Sequence, residues 1–310
     1  MFNFTPEHFD PMAAPALTFT ARAPEDFPNW TFPTLDVEYD AESQALWMFY
    51  KEDSTPYFSL DTLQDVGDVR ASVRELFASD RVATHPIRYF LMASKKPNVF
   101  NLGGDLAMFA QSIRDGNRAK LRLYARTCVD LVHSLSMAFD LPMVTLSVIG
   151  GQALGGGFEG ALAEDFIVAD EDARIGVPEV SFNTFPGMGA MTLLSRRLGA
   201  AGAETLIASG KVHSGQQMYD AGVIDIIAPA GRAQETAQAW MRDGGGRLFE
   251  RRLAMAAARR RFFPVAAGEL EAITDLWVEC SCNVTPHDIR HMERLASAQK
   301  RLNAASANLP

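Results

Sequence analysis

Cysteine is scarce in this chain, and its positions exclude two of the roles that the residue commonly takes. The 310 residues include three cysteines, Cys128, Cys280 and Cys282. A small, odd number in a chain of this length is not the framework of a disulfide-rich secreted protein. The close pair Cys280 and Cys282 has no further Cys or His at the spacing of a zinc site. We therefore expect no disulfide framework and no metal site.

Long apolar runs and an excess of basic residues are also missing. No apolar stretch approaches the ~20 residues that a membrane-spanning helix needs. The formal net charge is −9, so no overall basic field attracts nucleic acid. The N-terminus carries Glu7, Asp10 and Pro11 instead of a basic segment followed by an apolar one, which is unlike a secretory signal. The sequence predicts a cytoplasmic protein without a membrane span or a nucleic-acid partner.

The order of apolar patterns is typical of an α/β protein followed by helices alone. Short apolar runs predict strands at 45–50, 87–93, 143–149, 166–169 and 223–227. Helical patterns lie at 59–77, 118–139, 188–199, 203–209 and from 233 onward, and a capping box at Ser214 to Gln217 starts a further short helix. We therefore expect an N-terminal arm at 1–40, an α/β core at 41–230 and a C-terminal helical region at 231–310.

The C-terminal helices carry apolar residues that need a partner. Trp277, Ile289, Met292 and Leu295 lie on helices too few to bury them in a core of their own. Such helices dock on the main body or on another subunit. We expect a homo-oligomer.

A glycine-rich turn with two nearby carboxylates is the strongest chemical signal in the chain. Gly155–Gly157 follows the predicted strand at 143–149 and precedes Phe158 and Glu159, and Glu179 comes 20 residues after Glu159. A strand, a glycine turn and a helix in this order direct backbone N–H groups at an anion or a developing oxyanion. A carboxylate at the start of such a helix can act as acid or base on the group that those N–H groups hold.

Other glycine-rich motifs do not fit this turn. It lacks the Gly-Lys-Ser/Thr ending of a P-loop, and no acidic residue follows a clear second strand as in a dinucleotide-binding unit. A purely structural turn between packed elements, with Glu159 and Glu179 in solvent, remains open as the alternative.

The stretch 98–225 resembles the crotonase superfamily, the enoyl-CoA hydratases and isomerases. The resemblance implies an α/β fold, a crotonase-like spiral core of repeated ββα units with a C-terminal helical region. It also implies that the carbonyl of an acyl thioester lies between two backbone N–H groups, those of Gly104 and Gly156. Glu159 and Glu179 match the two glutamates of the family's hydratases, and we assign acid–base catalysis to them jointly.

Four motifs resemble, within that superfamily, the diffusible-signal-factor synthases. They are NLGGDL at 101–106, FPGMGA at 185–190, ITDLWV at 273–278 and MERL at 292–295. This resemblance implies a dehydratase acting on 3-hydroxyacyl thioesters of acyl carrier protein, with thioesterase activity and no cofactor, that releases a cis-2-unsaturated fatty acid as a quorum-sensing signal. Gly104 and Phe158 replace the Ala and Cys that are common in hydratases, which argues against simple CoA hydratase activity.

An acyl chain requires an apolar pocket, and the sequence offers six candidates for its lining. They are Phe158, Phe182, Phe185, Met188, Leu276 and Trp277. Ordinary core packing is the alternative for each of them. Trp277 is the first choice because it belongs to the ITDLWV motif.

Acyl carrier proteins are acidic, so docking on this acidic chain requires a local basic patch. Two groups of basic residues are candidates: Arg114, Arg118, Lys120, Arg122 and Arg126, and then Arg251, Arg252, Arg259, Arg260 and Arg261. A helix face paired with nearby acids is the alternative for both groups.

Two other functions remain open. A 2-enoyl-CoA hydratase/isomerase of fatty acid metabolism would use the same glutamates and N–H groups with a CoA thioester. A protein that binds acyl chains and regulates a sensor kinase needs no acid–base pair, so Glu159 and Glu179 argue against it. We therefore expect a trimeric or hexameric enzyme whose substrate is an acyl carrier protein or CoA thioester, with a sensor kinase as a further candidate partner.

Overall fold

Two β-sheets and a surrounding layer of helices form the computed structural model, which describes residues 17–243 and 245–306. Over these ranges the strands are β1 (Leu35–Asp40), β2 (Ala45–Tyr50), β3 (Tyr89–Ser94), β4 (Val99–Asn101), β5 (Val144–Ile149), β6 (Gln152–Leu154), β7 (Phe166–Asp170), β8 (Arg174–Gly176), β9 (His213–Ser214) and β10 (Ile226–Ala228). The helices are α1 (Leu60–Ala78), α2 (Arg81–Thr84), α3 (Leu106–Arg114), α4 (Arg118–Ser136), α5 (Gly156–Leu162), α6 (Ala190–Ser209), α7 (Gly215–Asp220), α8 (Ala233–Arg242), α9 (Gly245–Phe262), α10 (Ala267–Cys282) and α11 (Pro286–Ser306).

The chain winds between the two sheets in repeated steps. The larger sheet has the order β1-β2-β3-β5-β7-β10 and the smaller one the order β4-β6-β8-β9. Each of the pairs β3–β4, β5–β6 and β7–β8 therefore places its first strand in the larger sheet and its second in the smaller one, and helical segments follow each pair. This is the predicted spiral of ββα units, and the α/β fold with a C-terminal helical region is confirmed.

The repeat brings three loops to one edge of the smaller sheet. β4, β6 and β8 are neighbours and run parallel to one another. Their carboxyl ends therefore lie at the same edge, which is where open parallel sheets bind ligands. The loop at Gly103 and Gly104 follows β4, the glycine turn at Gly155 follows β6, and Glu179 follows β8.

Strand β2, which lies between β1 and β3 in the larger sheet, shows why the core is extensive. Leu46, Met48 and Tyr50 belong to the main apolar cluster on one face of the larger sheet, while Trp47 and Phe49 belong to a second cluster on the other face. Helices α8 and α9 cover the second cluster, so both faces of the sheet are buried.

The N-terminal arm predicted at 1–40 contains a strand. β1 pairs antiparallel with β2, from Leu35 opposite Tyr50 to Asp40 opposite Ala45. The sheet therefore begins before residue 41. The alternation of apolar and polar residues in Leu35–Asp40 is typical of a half-buried edge strand. Residues 1–16 of the predicted arm lie outside the described residues.

Two other details of the sequence prediction changed. The predicted strand at 223–227 is the shorter β10, because Val223 and Ile224 turn back to bond the carbonyl of Met218. The glycine turn does not follow β5 directly, because β6 lies between them. The predicted capping box at Ser214 and Gln217 is confirmed at the start of α7.

In the first basic group predicted for carrier docking, the four arginines form ion pairs, three of them as a ladder between two helices, and Lys120 is exposed. On α4, Arg118 pairs with Glu279, Arg122 with Asp275, and Arg126 with both Asp275 and Glu271 of α10. Successive rungs are four residues apart on both helices, so they follow one face of each helix. On α3, Arg114 pairs with Glu293 of α11. These arginines therefore face acidic partners on α10 and α11 across the contact between the C-terminal helices and the main body.

The described residues contain neither a candidate membrane span nor a candidate metal-ion cluster. Across 17–243 and 245–306, no helix has the length and apolar character needed to cross a bilayer. Within the same residues, no group of three or more His, Cys, Asp or Glu side chains is placed to hold a metal ion.

Candidate active site

A largely apolar cavity of about 280 Å³ lies where the loops after β4, β6 and β8 meet helices α10 and α11. Its polar lining comes from Glu159, Glu179, Tyr124, Gln152 and Gln299. The other lining residues are Leu102, Gly104, Leu106, Phe109, Ala125, Leu154, Gly155, Gly156, Pro178, Phe182, Gly187, Met188, Trp277, Leu295, Ala298 and Leu302. All four residues predicted to perform catalysis thus line one cavity.

The turn after β6 requires glycine because of both its backbone and its neighbours. Gly155 has φ +51°, and a Cβ atom there would lie 2.5 Å from Oε1 of Glu179. A Cβ atom on Gly156 would lie 2.5 Å from the sulfur of Met188. The absence of side chains therefore lets a carboxyl group and the cavity wall approach this backbone closely. As predicted, the turn opens a helix, α5, which begins at Gly156.

Two amide groups point into the cavity, and their direction follows from peptide geometry. The carbonyl of Gly103 accepts a hydrogen bond from the amide of Phe58 at 2.8 Å. The carbonyl of Gly155 accepts from the amides of Phe158 and Glu159 at 2.9 and 3.0 Å. In a trans peptide the N–H points opposite to the C=O. The N–H groups of Gly104 and Gly156 therefore point away from these bonds, toward the cavity that both residues line.

The loops that carry these two amides touch, and within the described residues the amides have no hydrogen-bond acceptor. A Cβ atom on Gly103 would lie 2.9 Å from the nitrogen of Gly156, so the two loops are in contact. Among the described residues neither Gly104 nor Gly156 donates a backbone hydrogen bond. Two free donors from adjacent loops are the arrangement that stabilises an oxyanion on a bound carbonyl.

Glu159 is buried but bonded to the main chain. Its Oε1 accepts hydrogen bonds from the amides of Met188 at 2.8 Å and Ala190 at 3.0 Å, at the start of α6. Burial raises the pKa of this carboxyl to about 7, and the backbone amides oppose that rise. Glu159 is thus the member of the pair with support for a negative charge.

Glu179 is the opposite case. Its Oε2 is buried, and within the described chain it has no hydrogen-bond partner. Burial raises the pKa of Glu179 well above its ordinary value, and the nearby charge of Glu159 raises it further. Near neutral pH the two carboxyls therefore hold at least one proton between them, and the shifts favour the protonated form of Glu179 over that of Glu159. The alternative in which both carboxylates lie in solvent is wrong.

The carboxyl pair should make stability depend on pH. Because both pKa values are raised above the ordinary 4.5, the folded protein binds more protons than the unfolded chain above that pH. The free energy of unfolding therefore falls as pH rises from 4.5 through the folded pKa values. The Glu179→Gln variant lacks one of these protons, so we expect it to gain about 1–3 kcal/mol relative to wild type between about pH 5 and pH 8. Urea unfolding at both pH values measures the difference.

The control for this measurement is Glu204→Gln, which removes a carboxyl from an exposed position on α6. We expect its free energy of unfolding to follow wild type at both pH values. A Glu179→Gln curve parallel to the wild-type curve would contradict the proton on Glu179.

The structure divides the six predicted pocket residues into two groups. Phe182, Met188 and Trp277 line the cavity. Phe158 is fully buried in the main core because α5 is enclosed on all sides, and Phe185 packs on that core. Leu276 is 46% exposed, since its neighbour Trp277 occupies the inward face of α10. Phe158, Phe185 and Leu276 are therefore corrections to the predicted lining.

Sequence reasoning missed several residues of the cavity. Tyr124 is buried on α4, and its hydroxyl donates to the carbonyl of Phe58 and accepts from the amide of Asp105. Phe109 packs edge-on against Trp277 at 5.1 Å. Gln299 is a polar residue at helical spacing from the apolar Met292 and Leu295, which is the signal that could have identified it.

The second basic group is only partly available as a surface. Arg260 pairs with Asp165, and Arg259 donates to the carbonyl of the same residue. Arg252 stacks on Trp240 at 3.5 Å. Arg251 and Arg261 are exposed on α9.

Comparison with known proteins gives a family and a curated relative. A sequence model described as enoyl-CoA hydratase/isomerase matches residues 78–258. The fatty acid oxidation complex subunit alpha of Acinetobacter baylyi is 31% identical over 169 residues, which cover 54% of this chain and 23% of the relative. This chain therefore spans less than a quarter of the length of that relative.

Solved structures share the fold. Human mitochondrial delta3-delta2-enoyl-CoA isomerase has a TM-score of 0.68 at 20% identity, covering 86% of this chain and 98% of its own. Pseudomonas aeruginosa DspI has a TM-score of 0.60 at 22% identity, covering 88% of this chain and 99% of its own. At these identities the likeness concerns the fold alone.

Proposed function

The chain belongs to the enoyl-CoA hydratase/isomerase family, and we propose that it dehydrates 3-hydroxyacyl thioesters of acyl carrier protein and hydrolyses acyl thioesters, releasing a cis-2-unsaturated fatty acid. Within this proposal Glu159 and Glu179 are the catalytic acid and base, and the amides of Gly104 and Gly156 bind the thioester oxygen. The released acid serves as a diffusible signal. Several motifs of the diffusible-signal-factor synthases support this choice within the family.

The observation that carries the proposal is that two carboxyl groups and two glycine amides from adjacent loops line one cavity. Dehydration breaks the C2–H bond and gives an enolate, whose oxygen takes the negative charge. Two N–H donors at that oxygen stabilise it. The ionised carboxyl takes the C2 proton, and the protonated carboxyl gives a proton to the 3-hydroxyl as the C3–O bond breaks and water leaves. The pair contains both required groups at the same pH.

Hydrolysis uses the same groups on the carbonyl carbon. A carboxylate of the pair removes a proton from a water molecule as the water oxygen attacks the thioester carbonyl. The tetrahedral oxyanion is held by the amides of Gly104 and Gly156. When it collapses, the C–S bond breaks and the thiol leaves with a proton from the pair.

The lining of the cavity supports an acyl chain as the ligand. Most of the side chains that line the cavity are apolar, among them Phe109 of α3, Trp277 of α10 and Leu295 of α11. A Cβ atom on Gly104 would lie 2.6 Å from the ring of Phe109. Glycine at 104 therefore allows an aromatic ring against the oxyanion loop, where alanine would displace it.

A 2-enoyl-CoA hydratase/isomerase acting in fatty acid metabolism is the second candidate. The family match and the fatty acid oxidation relative favour it. The same carboxyl pair would add water to C3 of an enoyl-CoA in the reverse of the dehydration. The two candidates differ in the carrier and in release of a free acid.

Self-association stays a prediction. Met255 and Phe262 on α9 are 65% and 77% exposed, and Phe263 beside them is also exposed. Large apolar side chains in contact with water on one helix favour an interface between copies. Sedimentation of wild type and of the Phe262→Glu variant would measure the assembly, and we expect the variant to dissociate.

The test of the function offers the purified protein a series of 3-hydroxyacyl chains on acyl carrier protein and on CoA. Mass spectrometry and gas chromatography then identify the free acids and their double-bond geometry. We expect a cis-2-enoic free acid from the carrier-protein substrates. Formation of enoyl-CoA without any free acid would favour the hydratase, and binding without turnover would favour a protein that only binds acyl chains.

A further inference from the structure

Helix α11 reaches across the cavity and bonds directly to the loop that carries the Gly104 amide. Gln299 is 6% exposed. Its Nε2 donates to the carbonyl of Leu102 at 3.2 Å and to the carbonyl of Gly104 at 3.1 Å. One side chain thus holds the carbonyls on both sides of the Gly103–Gly104 peptide, whose N–H points into the cavity.

The main body holds the same loop from the other side. Phe58 bonds the carbonyl of Gly103 at 2.8 Å, and Oδ1 of Asn101 accepts from the amide of Gly103 at 2.8 Å. The amide of Asp105 bonds the hydroxyl of Tyr124. Gly103 has φ +87°, a conformation with few restraints of its own in glycine. The orientation of this loop therefore depends on the bonds around it.

We propose that Gln299 is a positioning residue, which aims the Gly104 amide at the thioester oxygen only while α11 is seated on the cavity. The inference rests on the proposed function for its catalytic consequence. Its structural part, that Gln299 orders the loop at 102–105, stands without it.

Two groups of contacts seat α11. Ile289 and Met292 pack against Ala110 and Phe182 in a small apolar cluster. Arg114 of α3 binds Glu293 through two pairs of atoms, with Nη2 to Oε2 at 2.9 Å. One turn of α11 further on, its residues face the cavity itself.

The same helix contacts the acyl chain in the proposed complex. Leu295, Ala298 and Leu302 line the cavity on the α11 side. A chain long enough to reach them stabilises the seated helix, and the seated helix places Gln299 on the loop. We therefore expect the length of the acyl chain to change kcat as well as KM, because contact with the far end of the substrate helps to assemble the oxyanion site.

Hydrogen exchange tests the structural part. In Gln299→Met, which keeps the length of the side chain and removes its donor, we expect amide exchange in the peptide spanning 102–105 to accelerate at least about 10-fold. Exchange in the sheet strands should stay at the wild-type rate, which shows that the fold persists. The matched control is Lys300→Ala, an exposed position one residue away on the same helix. Wild-type exchange of the loop in Gln299→Met would overturn the inference, whatever the protein catalyses.

Kinetics test the catalytic part. We expect Gln299→Met to lower kcat about 10–100-fold with KM changed less than about threefold, because a misplaced donor weakens the transition state more than substrate binding. The wavelength shift of a bound 2,4-dienoyl-CoA, which reports polarisation of its carbonyl, should shrink in parallel. A rise in KM alone would reduce Gln299 to a structural contact and overturn the proposal. Absence of turnover in wild type would instead contradict the proposed function, and the exchange result would still decide the role of Gln299.

Reversing the charges of the Arg114–Glu293 pair tests whether the seating of α11 controls the order of the loop. Arg114→Glu should unseat the helix and reproduce the faster exchange of the loop. The double variant Arg114→Glu, Glu293→Arg should restore wild-type exchange, because the pair is re-formed with its charges reversed. Met292→Asp places a charge in the apolar cluster beneath α11 and tests the same coupling through the other group of contacts. Wild-type hydrogen exchange of the loop in both Arg114→Glu and Met292→Asp would show that the loop is ordered independently of the helix.

Discussion

Glu159→Gln and Glu179→Gln each lower kcat/KM for a 3-hydroxyacyl thioester by about 10²–10⁴-fold, the contribution expected of a positioned acid or base. The amide keeps the size of the carboxyl, so the cavity keeps its shape. It can neither take the C2 proton nor supply one to the 3-hydroxyl. Steady-state kinetics with wild-type and variant proteins measure the loss, and exchange of the C2 proton in D₂O identifies which glutamate acts at that carbon.

The matched control is Glu164→Gln. Glu164 is a buried glutamate that follows α5 and takes no part in lining the cavity. We expect it to keep wild-type kcat/KM even if its stability changes, so loss of a buried carboxyl alone does not explain the result. Full turnover by a folded Glu159→Gln or Glu179→Gln variant would refute the assignment of the pair.

Gly103→Ala is expected to reduce kcat/KM by about 10²–10³-fold, the effect of losing an oxyanion donor. The added Cβ atom would lie 2.7 Å from the carbonyl oxygen of Leu154 and 2.9 Å from the nitrogen of Gly156. Both neighbours are backbone atoms, so the two loops must separate. The amides of Gly104 and Gly156 would then no longer meet at one oxygen. Kinetics, together with the wavelength shift of a bound dienoyl thioester, measure the loss.

Gly116→Ala separates this clash from backbone strain. Gly116 also has positive φ, +63°, but a Cβ atom there would meet nothing within 4 Å. We expect Gly116→Ala to lower the free energy of unfolding by about 1–2 kcal/mol through conformational strain and to leave kcat/KM unchanged. Equal activity losses in both alanine variants would show that the approach of the two loops does not govern catalysis.

The residues proposed to react could be predicted from the sequence because the pattern that identifies them is local. A glycine turn needs particular residues at adjacent positions, and Glu159 follows it by one helical turn. The strands β4, β6 and β8 were missed because each has three residues, too few to show an alternating pattern. The spiral that joins Gly104, Gly156 and Glu179 therefore came from family resemblance and was confirmed by the fold.

The walls of the cavity were less predictable because they depend on distant packing. Leu276 and Trp277 are adjacent on α10, yet one faces solvent and the other the cavity, since neighbouring helical residues point about 100° apart. The arginines of α4 looked like a free surface because their acidic partners lie far along the chain: Arg122 and Asp275 are 153 positions apart. Local charge patterns do not show which of these groups will meet.

The position of α11 in the chain has a consequence during translation. Glu179 and Leu295 both line the cavity but are 116 positions apart. The spiral core is therefore synthesised well before the wall formed by α11. A growing chain that has not yet reached α11 lacks the wall formed by Leu295, Ala298 and Leu302. If the proposed function holds, thioester binding therefore awaits the synthesis of a helix that carries neither of the two carboxyls.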